Sequence, residues 1–428
     1  MIILRKYKSV VFWLIFVSLW IIGLCPCCNE KKKDEIKETE NTSDNNVLNN
    51  INYNNGNINN YLELNQEQPI LVGLKKIEEA TCFMNATLQC LPNTKKLTKY
   101  LLEEYKGSNR DAVMTNAYYE VLRNLWNKNN PNKAYNPKSF AEKLIQENPL
   151  FAGIQANKSK DLIDFLLERF HQELNIEKPS NLLNSANGVY NQGQPDQTNR
   201  YSMLNLFLEN FKKNFNSPSS NLFYGILETQ IKCTVCNTIR YSFNDYKFLD
   251  FPLKKVNNYL CQNGRRNALV NQEGTNPDIN LYECFDYYQK IELMTDGNKQ
   301  FCNFCNALRD TYVTSFIYST PRYLIINLDR GEEPIYKGNV FPHSQLNIGK
   351  YVSYKGCPTT YELYAVICQL KNSSRGDKIV AYCKNRIDNK WYLYNNEKVI
   401  LCTDENKKDC LPGMYYILFY EECNPSYN

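Results

Sequence analysis

Two pairs of closely spaced cysteines constrain the fold of this chain more than any other feature. Each pair has two residues between its thiols, and about 65 residues separate the pairs, which are Cys233 with Cys236 and Cys302 with Cys305. Four thiolates at this spacing can close a tetrahedral Zn²⁺ site with no open coordination position, so the metal would be structural. Ordinary cysteines, or two disulfides in an exported domain, are the alternatives. We predict a zinc site that holds together the tips of two long strand excursions.

Composition excludes some functions and leaves others open. The chain has 428 residues, 43% of them hydrophobic, which suits one large domain or two ordinary ones. Its net charge of +5 comes with no dense basic block, so nucleic-acid binding is not indicated. Four more of the 17 cysteines lie in apolar runs and are predicted to be small buried side chains. These are Cys90, Cys368, Cys383 and Cys402.

The first 29 residues have the character of a signal peptide or a membrane anchor. Basic residues before position 9 precede an uncharged run over residues 10–24. The run is shorter than the roughly 17–25 residues of a spanning helix, and no clear cleavage site follows it. The favoured interpretation is an uncleaved anchor, with membrane association through residues 10–28 and a domain that faces the cytosol. The alternative is the secretory pathway or secretion.

The remainder of the chain divides into a linker and a globular part. Residues 30–69 are rich in Asn and nearly free of apolar side chains, which predicts a disordered linker. Apolar residues at helical spacing predict helices over much of residues 71–174, whereas short alternating runs after Leu222 predict strands. Helices first and strands later favour an α+β domain with a cleft between its two parts.

A candidate nucleophile lies where a charged segment becomes an amphipathic helix. Apolar side chains at Phe83, Met84, Leu88 and Leu91 have helical spacing, which places Cys82 in the first turn. The unpaired backbone N–H groups and the dipole of that turn favour negative charge on the sulfur. Cys82 is therefore predicted to attack a carbonyl group.

Several segments, in order along the chain, resemble landmarks of the ubiquitin-specific protease family of papain-like thiol isopeptidases. They are the cysteine segment from Gly73 to Leu91, Lys160–Leu166, the two cysteine pairs, Pro321–Arg330, Phe341 with Pro342, Tyr361–Val366, Trp391–Asn396 and Tyr416–Tyr420. The resemblance implies a papain-like domain over residues 70–423, with a helical thumb, a β-rich palm and zinc-ribbon fingers at about residues 223–320, before a short tail at 424–428. It also implies that the fingers hold the body of ubiquitin and the cleft holds its Leu-Arg-Leu-Arg-Gly-Gly tail.

The general base of the family has no counterpart at its place in this sequence. In the family it is the histidine of a Gly-His-Tyr-x-Ala-Tyr strand, and here that position holds Asp377 or Lys378, depending on where one extra residue is placed. The chain has two histidines, His171 and His343, and both are predicted to serve packing or to face solvent. Asn395 matches the residue that orients the imidazole in the family. A free thiol without a base is mostly protonated at neutral pH.

The oxyanion site that the resemblance implies is altered as well. The family places an asparagine about five residues before the cysteine, and here Lys76 or Ile77 occupies that place. Glu78 and Glu79 replace the glycine of the same turn, with one residue inserted. Loss of an oxyanion donor typically costs ~10²–10³ in rate.

A match to the family's tail-binding residues is retained. Asp161 and Asp164 correspond to an acidic pair that faces the basic ubiquitin tail, although both could also be solvated faces of a helix. Lys160 replaces the family's glutamine beside them and carries the same charge as the tail. Binding of ubiquitin is therefore expected to depend on residues other than those that hydrolyse a bond.

These features lead to a main prediction and two alternatives. The main prediction is a ubiquitin-specific protease homologue that binds ubiquitin or a partner protein and is weakly active or inactive, because the nucleophile is present and the base is missing. The first alternative is an active thiol-dependent deubiquitinase that hydrolyses ubiquitin isopeptide bonds with an unusual base. The second, an exported disulfide-linked adhesion or receptor domain, rests on the N-terminal apolar run alone.

Overall fold

The computed structural model of the chain describes residues 71–77, 81–127, 133–152, 159–176, 196–265, 276–332, 335–370, 378–404 and 412–423. The predicted anchor and the predicted Asn-rich linker lie outside these ranges. Within them the chain forms a helical thumb, a β-sheet palm and a pair of small sheets that make up the fingers, and the predicted α+β class is confirmed.

The thumb consists of the first five of the helices found in the described residues. Each of the longer helices turns one apolar face into the core, as expected from side chains spaced three and four residues apart. The helices are α1 (Cys82–Cys90), α2 (Lys95–Lys99), α3 (Val113–Leu125), α4 (Lys138–Glu147), α5 (Ser159–Leu174), α6 (Arg200–Asn214), α7 (Pro218–Phe223), α8 (Leu253–Gln262) and α9 (Leu281–Tyr288).

The strands come mostly after the helices. They are β1 (Gly73–Leu74), β2 (Ala134–Tyr135), β3 (Gly225–Cys233), β4 (Ile239–Tyr246), β5 (Phe248–Pro252), β6 (Ile279–Asn280), β7 (Glu292–Met294), β8 (Gln300–Cys302), β9 (Ala307–Arg309), β10 (Thr311–Ser319), β11 (Tyr323–Asp329), β12 (Val340–Phe341), β13 (Gln345–Asn347), β14 (Thr360–Leu370), β15 (Ile379–Lys384), β16 (Trp391–Asn395), β17 (Lys398–Leu401) and β18 (Pro412–Glu422). Most of them belong to two sheets, one in the palm and one in the fingers.

The palm is an eight-stranded sheet in the order β17-β16-β15-β14-β18-β11-β5, with β13 beside β14. Its pairs are antiparallel except for β5 and β11, which run parallel. The long strands β14 and β18 form its centre, and α1 packs on one face against β14, β15 and β16. The edge strand β5 borders the thumb.

Two hydrophobic cores occupy the two faces of the palm sheet. Side chains alternate between the faces along each strand, so Ala381 and Cys383 of β15 join the thumb core while Val380 and Tyr382 join the opposite core. Helices α8 and α9 cover that opposite face. The helix that carries Cys82 is thereby fixed to one face of the sheet only.

The fingers are a four-stranded sheet, in the order β4-β3-β10-β7, with a separate β8-β9 hairpin near its end. Strands β3 and β10 pair over nearly their whole length, and the register places Thr311 opposite Cys233. That register carries the first cysteine pair, which begins at the last residue of β3, to the same tip as the second pair, which begins at the last residue of β8.

The structure differs from the predicted pattern after Leu222. The run from Tyr241 to Leu253 is interrupted at Lys247, which separates β4 from β5. Helices α8 and α9 interrupt the region expected to be all strands, because their apolar residues recur at helical rather than alternating spacing. An asparagine cap, Asn280, starts α9 by accepting a hydrogen bond from the backbone N–H of Tyr282.

The cysteines of the described residues are all free thiols. Cys90, Cys368 and Cys383 are buried as predicted, whereas Cys402 is only partly buried. Burial raises the pKa of the Cys90 and Cys368 thiols, so both remain neutral packing groups. No described cysteine forms a disulfide, so the framework of the exported-domain alternative is not found in this part of the chain.

The predicted membrane-associated localisation is contradicted. No helix in the described part of the chain is both long and apolar enough to cross a membrane. The longest of them, α5, has 16 residues and includes Asp161 and Arg169, whereas a spanning helix needs about 20 mostly apolar residues. Residues 10–28, on which the prediction relied, lie outside the described residues, and neither the anchor nor its secretory alternative is retained.

Candidate active site and metal centre

Cys82 is the first residue of α1, as the spacing of apolar side chains predicted. It is partly exposed, and every following residue of the helix, from Phe83 to Cys90, is buried. Thr81, the residue before it, does not cap the helix with its side chain. The backbone N–H groups of the first turn can therefore donate hydrogen bonds to another group. The thiol therefore lies at the positive end of a helix that cannot move without disrupting the thumb core.

Asn85, one helical turn after Cys82, joins three separate segments. Its side-chain Nδ2 donates to Asn396 Oδ1 at 2.9 Å, to the Lys75 carbonyl at 3.3 Å and to the Leu74 carbonyl at 3.5 Å. Its Oδ1 is buried and has no partner among the described residues. Asn85 was not among the predicted site residues. Thr87 and Gln89 of the same helix are also polar and buried, so polarity alone does not distinguish Asn85 in the sequence.

The turn that carries Asn395 packs directly against this junction. Asn396 has a left-handed backbone, with φ of 54°, and its carbonyl accepts from the Leu74 N–H at 2.9 Å. A Cβ on Gly73 would lie 2.4 Å from the Glu397 carbonyl oxygen, so only glycine allows this close approach. The structure thus brings the predicted imidazole-orienting turn beside the helix of Cys82.

The histidine position of the family lies at the same end of the sheet. Ala381 pairs with Tyr394 across β15 and β16, so the start of β15 borders Asn395. Lys378, one residue before β15, is exposed, and its carbonyl accepts from the Leu370 N–H at 2.8 Å. Asp377, the other candidate, lies outside the described residues.

His171 is a packing residue of the thumb. Its ring stacks on Phe215 with centroids 4.8 Å apart, and Nδ1 lies 3.0 Å from Ser217 Oγ. Burial lowers its pKa, against a smaller opposing effect of Glu168. Ser159, at the start of the same helix, donates to the Phe83 carbonyl at 3.4 Å. Twelve residues of helix separate the two positions, so His171 lies roughly 18 Å along α5 from the Cys82 end.

His343 lies on the other side of the palm. Its ring is 4.9 Å from the ring of Tyr282 in α9, and its carbonyl accepts from the Tyr420 hydroxyl at 2.9 Å. Tyr282 packs against the core opposite to the thumb core. Since these are the two histidines of the chain, the structure places no imidazole beside Cys82.

The predicted oxyanion segment is only partly described. Lys76 is exposed, and Ile77 packs against the thumb core with a side chain that has no donor. Glu78 and Glu79 lie outside the described residues. The described residues therefore do not test the predicted change at the oxyanion site, which stays a prediction.

The four cysteines of the two pairs converge at the tip of the fingers. Their sulfur atoms all lie within 4.8 Å of one another, with 3.9 Å between Cys233 and Cys305 and 3.6 Å between Cys236 and Cys302. Tetrahedral Zn²⁺ with Zn–S bonds of about 2.3 Å requires sulfur atoms about 3.8 Å apart, so the cluster fits zinc. Each pair is followed by an asparagine in the left-handed conformation, which turns the chain back toward the next strand. These asparagines are Asn237 and Asn306.

Acidic side chains lie along the surface where α5 faces the β4–β5 segment. Asp161 is exposed at the start of α5. Asp164 was predicted to face a ligand, but its Oδ1 lies 2.9 Å from Lys247 Nζ. Across this surface, Asp250 Oδ2 lies 3.7 Å from Lys160 Nζ. We call these acidic residues and the surface between them the tail groove; the contact of Ser159 with Phe83 places one end of it beside α1.

The electrostatics of the tail groove are dominated by carboxylates. Burial raises the pKa of Asp250, and the nearby carboxylates of Asp329 and Asp164 add to the rise, while Lys160 and Asn327 oppose it. Four carboxylates, those of Asp164, Glu168, Asp250 and Asp329, lie here with two lysines, Lys160 and Lys247, so the net charge of the cluster is negative. The groove is therefore suited to a cationic ligand.

A buried helix with a cysteine at its first residue, packed against a sheet that presents an asparagine turn, is the arrangement of papain-like cysteine hydrolases. Comparison with protein families narrows this class, because the family described as ubiquitin carboxyl-terminal hydrolase matches residues 72–420. The chain belongs to this family, and its predicted resemblance to the ubiquitin-specific proteases is confirmed.

The similar proteins agree with this assignment. Human ubiquitin carboxyl-terminal hydrolase 2 is 24% identical over 367 residues, which are 83% of this chain and 56% of that protein. Mouse ubiquitin carboxyl-terminal hydrolase 21 is 26% identical over 373 residues, which are 82% of this chain and 61% of that protein. The chain thus spans little more than half the length of these curated relatives.

A solved structure shares the fold. It is the SAGA DUB module that contains Ubp8, bound to monoubiquitin, with a TM-score of 0.58 and 18% sequence identity over 85% of this chain and 73% of that chain. The same module bound to ubiquitin aldehyde gives a TM-score of 0.57 at 19% identity, over 83% of this chain and 70% of that one. The predicted thumb, palm and fingers are confirmed by this likeness.

Proposed function

We propose that the chain binds ubiquitin, with the ubiquitin tail in the tail groove, and that it hydrolyses ubiquitin conjugates slowly or not at all. The observation that carries the proposal is the position of the two imidazoles. His171 is stacked in the thumb and His343 lies across the palm sheet, so Cys82 has a helix terminus but no imidazole beside it.

Charge complementarity supports the binding part of the proposal. The ubiquitin tail carries two arginines ahead of its diglycine end, and the groove presents Asp161, Asp164 and Asp250. Such charges set orientation and association rate more than total affinity. The Ubp8-containing module, which shares the fold, was solved with monoubiquitin bound.

The chemistry of thiols supports the impaired hydrolysis. A protonated thiol is a weak nucleophile, and an adjacent base normally activates it. Loss of the base from a catalytic triad can cost on the order of 10⁶ in rate. Lys378, which occupies one of the two candidate histidine positions, is exposed, and a lysine ammonium donates hydrogen bonds but has no lone pair with which to accept a proton.

The finger cluster would contribute structure and not catalysis. Cys233, Cys236, Cys302 and Cys305 are the residues that would hold Zn²⁺. Four protein ligands fill the tetrahedral shell, so the ion would cross-link the finger strands and leave no position for water or substrate. The fingers could then support the body of a bound ubiquitin.

The alternative function is an active thiol-dependent deubiquitinase with an unusual base. It is favoured by the intact junction in which Asn85 holds the Asn396 turn against α1. In this case the Cys82 thiol would give up its proton and attack the isopeptide carbonyl, the C–N bond would break, and the lysine amine would leave with that proton. Water would then hydrolyse the thioester to the free thiol and the carboxylate of the ubiquitin tail. Rapid labelling of Cys82 by ubiquitin with a thiol-reactive C-terminus, together with turnover, would favour this alternative.

Calorimetry with the full chain and ubiquitin tests the proposed function. We expect saturable binding, and binding at least ~10-fold weaker for a ubiquitin whose two tail arginines are replaced by alanine, because the groove then loses its cationic partners. Cys82→Ala is expected to bind as the wild type does. No binding, or equal binding of both ubiquitins, would contradict the proposal.

A further inference from the structure

Two lysines of the chain form ion pairs with carboxylates of the tail groove. Lys247, between β4 and β5, contacts Asp164 at 2.9 Å and Glu168 at 2.8 Å. Lys160, on α5, contacts Asp250 on the facing strand at 3.7 Å. Both ion pairs join the thumb to the edge of the palm, and so they cross the groove.

The two lysines differ in how firmly they are held. The Lys247 side chain is 17% exposed, is shared by two carboxylates and lies 5.5 Å from the Tyr224 ring centroid. The Lys160 side chain is 32% exposed, makes a single long ion pair and lies 5.4 Å from the Phe248 ring centroid. A single, partly exposed ion pair contributes little free energy. Lys160 can therefore be displaced at small cost, whereas Lys247 is a fixed part of the groove.

We propose that Lys160 is an internal competitor for the ligand, and that its displacement from Asp250 determines how tightly the groove accepts a cationic tail. This inference rests on the proposed binding of ubiquitin. An arginine of the ubiquitin tail can form an ion pair with Asp250 only after the Lys160–Asp250 ion pair has broken, so binding exchanges one cation for another. Arginine has the advantage in this exchange because its planar guanidinium can contact a carboxylate through two hydrogen bonds.

A direct consequence concerns the two partners of this ion pair. Replacing Lys160 removes the competitor and leaves Asp250 Oδ2 for the ligand, while Oδ1 still accepts from Asn327 at 2.8 Å, so binding tightens. Replacing Asp250 removes the ligand's partner and leaves the lysine cation in the groove, so binding weakens. A pair that only supported the fold would move binding in the same direction whichever partner was removed.

The test compares Lys160→Gln and Asp250→Asn in the full chain by calorimetry with ubiquitin. We expect Lys160→Gln to tighten binding about fivefold and Asp250→Asn to weaken it about fivefold, the size of one partly exposed ion pair. Lys138→Gln is the matched control, because Lys138 is 66% exposed at the start of α4 and its change removes the same charge. It is expected to leave the affinity within about twofold of the wild type.

The outcomes separate this inference from the proposed function. Ubiquitin binding by the wild type with no difference between Lys160→Gln and Lys138→Gln would overturn the inference and leave the proposed function standing. Shifts of the same sign for Lys160→Gln and Asp250→Asn would also overturn it. Absence of binding in the wild type and in Lys160→Gln would overturn both.

Discussion

The fingers and the cleft of this protein both contain cysteine, but among the described residues only the fingers bring together the full set of groups that the predicted site requires. At the finger tip, four thiols from separate strands converge within 4.8 Å. In the cleft, Cys82 has its helix and the adjacent Asn396 turn, while both histidines are used elsewhere. The finger tip therefore holds the four thiols that a structural Zn²⁺ would need, whereas for the cleft we propose that the general base is missing.

This difference shows that the fold and the reaction depend on different residues. Loss of a zinc ligand would remove the cross-link that holds the finger strands, so the fold itself requires all four cysteines. A histidine at the start of β15 would contribute to catalysis and little to packing, because Lys378 at that place is exposed. A fold can thus be retained after its chemistry has changed.

The largest expected effect is at the fingers. Cys302→Ser is expected to abolish stoichiometric zinc binding and to destabilise the chain, because structural zinc sites carry an apparent binding free energy of ~10–16 kcal/mol. Zinc released to a chromogenic chelator and thermal unfolding measure the two effects. Cys261→Ser, which changes a thiol of α8 outside the cluster, is the matched control. If Cys302→Ser retained a full equivalent of zinc, Cys302 would not be a zinc ligand, and the contrast between the fingers and the cleft would fail.

The second effect is a gain of hydrolysis. Restoring a histidine at the position that the family resemblance indicates, by Lys378→His or Asp377→His, is expected to raise hydrolysis of a ubiquitin–fluorophore amide by ~10²–10⁴, the usual contribution of a positioned general base. The rate constant of each variant is compared with that of Lys390→His, which adds a histidine at an exposed loop position away from the cleft. If neither variant exceeds that control, a missing imidazole is not what limits the reaction.

The third effect concerns the junction beside Cys82. Asn85→Ala leaves Asn396 Oδ1 and two backbone carbonyls without their shared donor, which should cost about 1–3 kcal/mol of unfolding free energy. Urea denaturation measures this loss. Asn124→Ala, which removes a solvent-exposed hydrogen bond within α3, should change the unfolding free energy by less than about 0.5 kcal/mol. Equal losses of unfolding free energy in Asn85→Ala and Asn124→Ala would show that the hydrogen bonds of Asn85 do not stabilise the packing of the cleft segments.

The smallest effect is a pH dependence that originates at His171. Its pKa is lowered in the folded chain, whereas the pKa of a histidine in the unfolded chain is ~6.5. On acidification the unfolded state binds the proton first, so the unfolding free energy falls from pH ~6.5 down to the folded-state pKa. The difference in unfolding free energy between the wild type and His171→Gln should therefore narrow as the pH is lowered through this window. A difference that stays constant would mean that His171 titrates equally in both states.

Local patterns were enough to predict much of this molecule. The helix that begins at Cys82 follows from its apolar spacing, and the zinc cluster follows from two short cysteine motifs, because in each case the information lies within a few residues. The missing base could be noticed by counting two histidines in the whole chain. The fold class followed from the order of helical and alternating segments.

Pairings between distant residues could not be predicted in this way. Asn85 and Asn396 are 311 positions apart, and nothing near either residue shows that the two meet. The ion pair of Asp164 with Lys247 was missed for the same reason, since the tertiary packing of α5 against the β4–β5 segment decides it. Helices α8 and α9 were missed because short amphipathic segments among strands carry a weak signal.

Steady-state hydrolysis of a ubiquitin–fluorophore amide by the wild type and by Cys82→Ala tests the central claim most directly. The absence of an imidazole beside Cys82 predicts that the two proteins turn over substrate at the same low rate. Turnover by the wild type at a rate usual for an enzyme, about 1 s⁻¹ or more, that is lost in Cys82→Ala would contradict it.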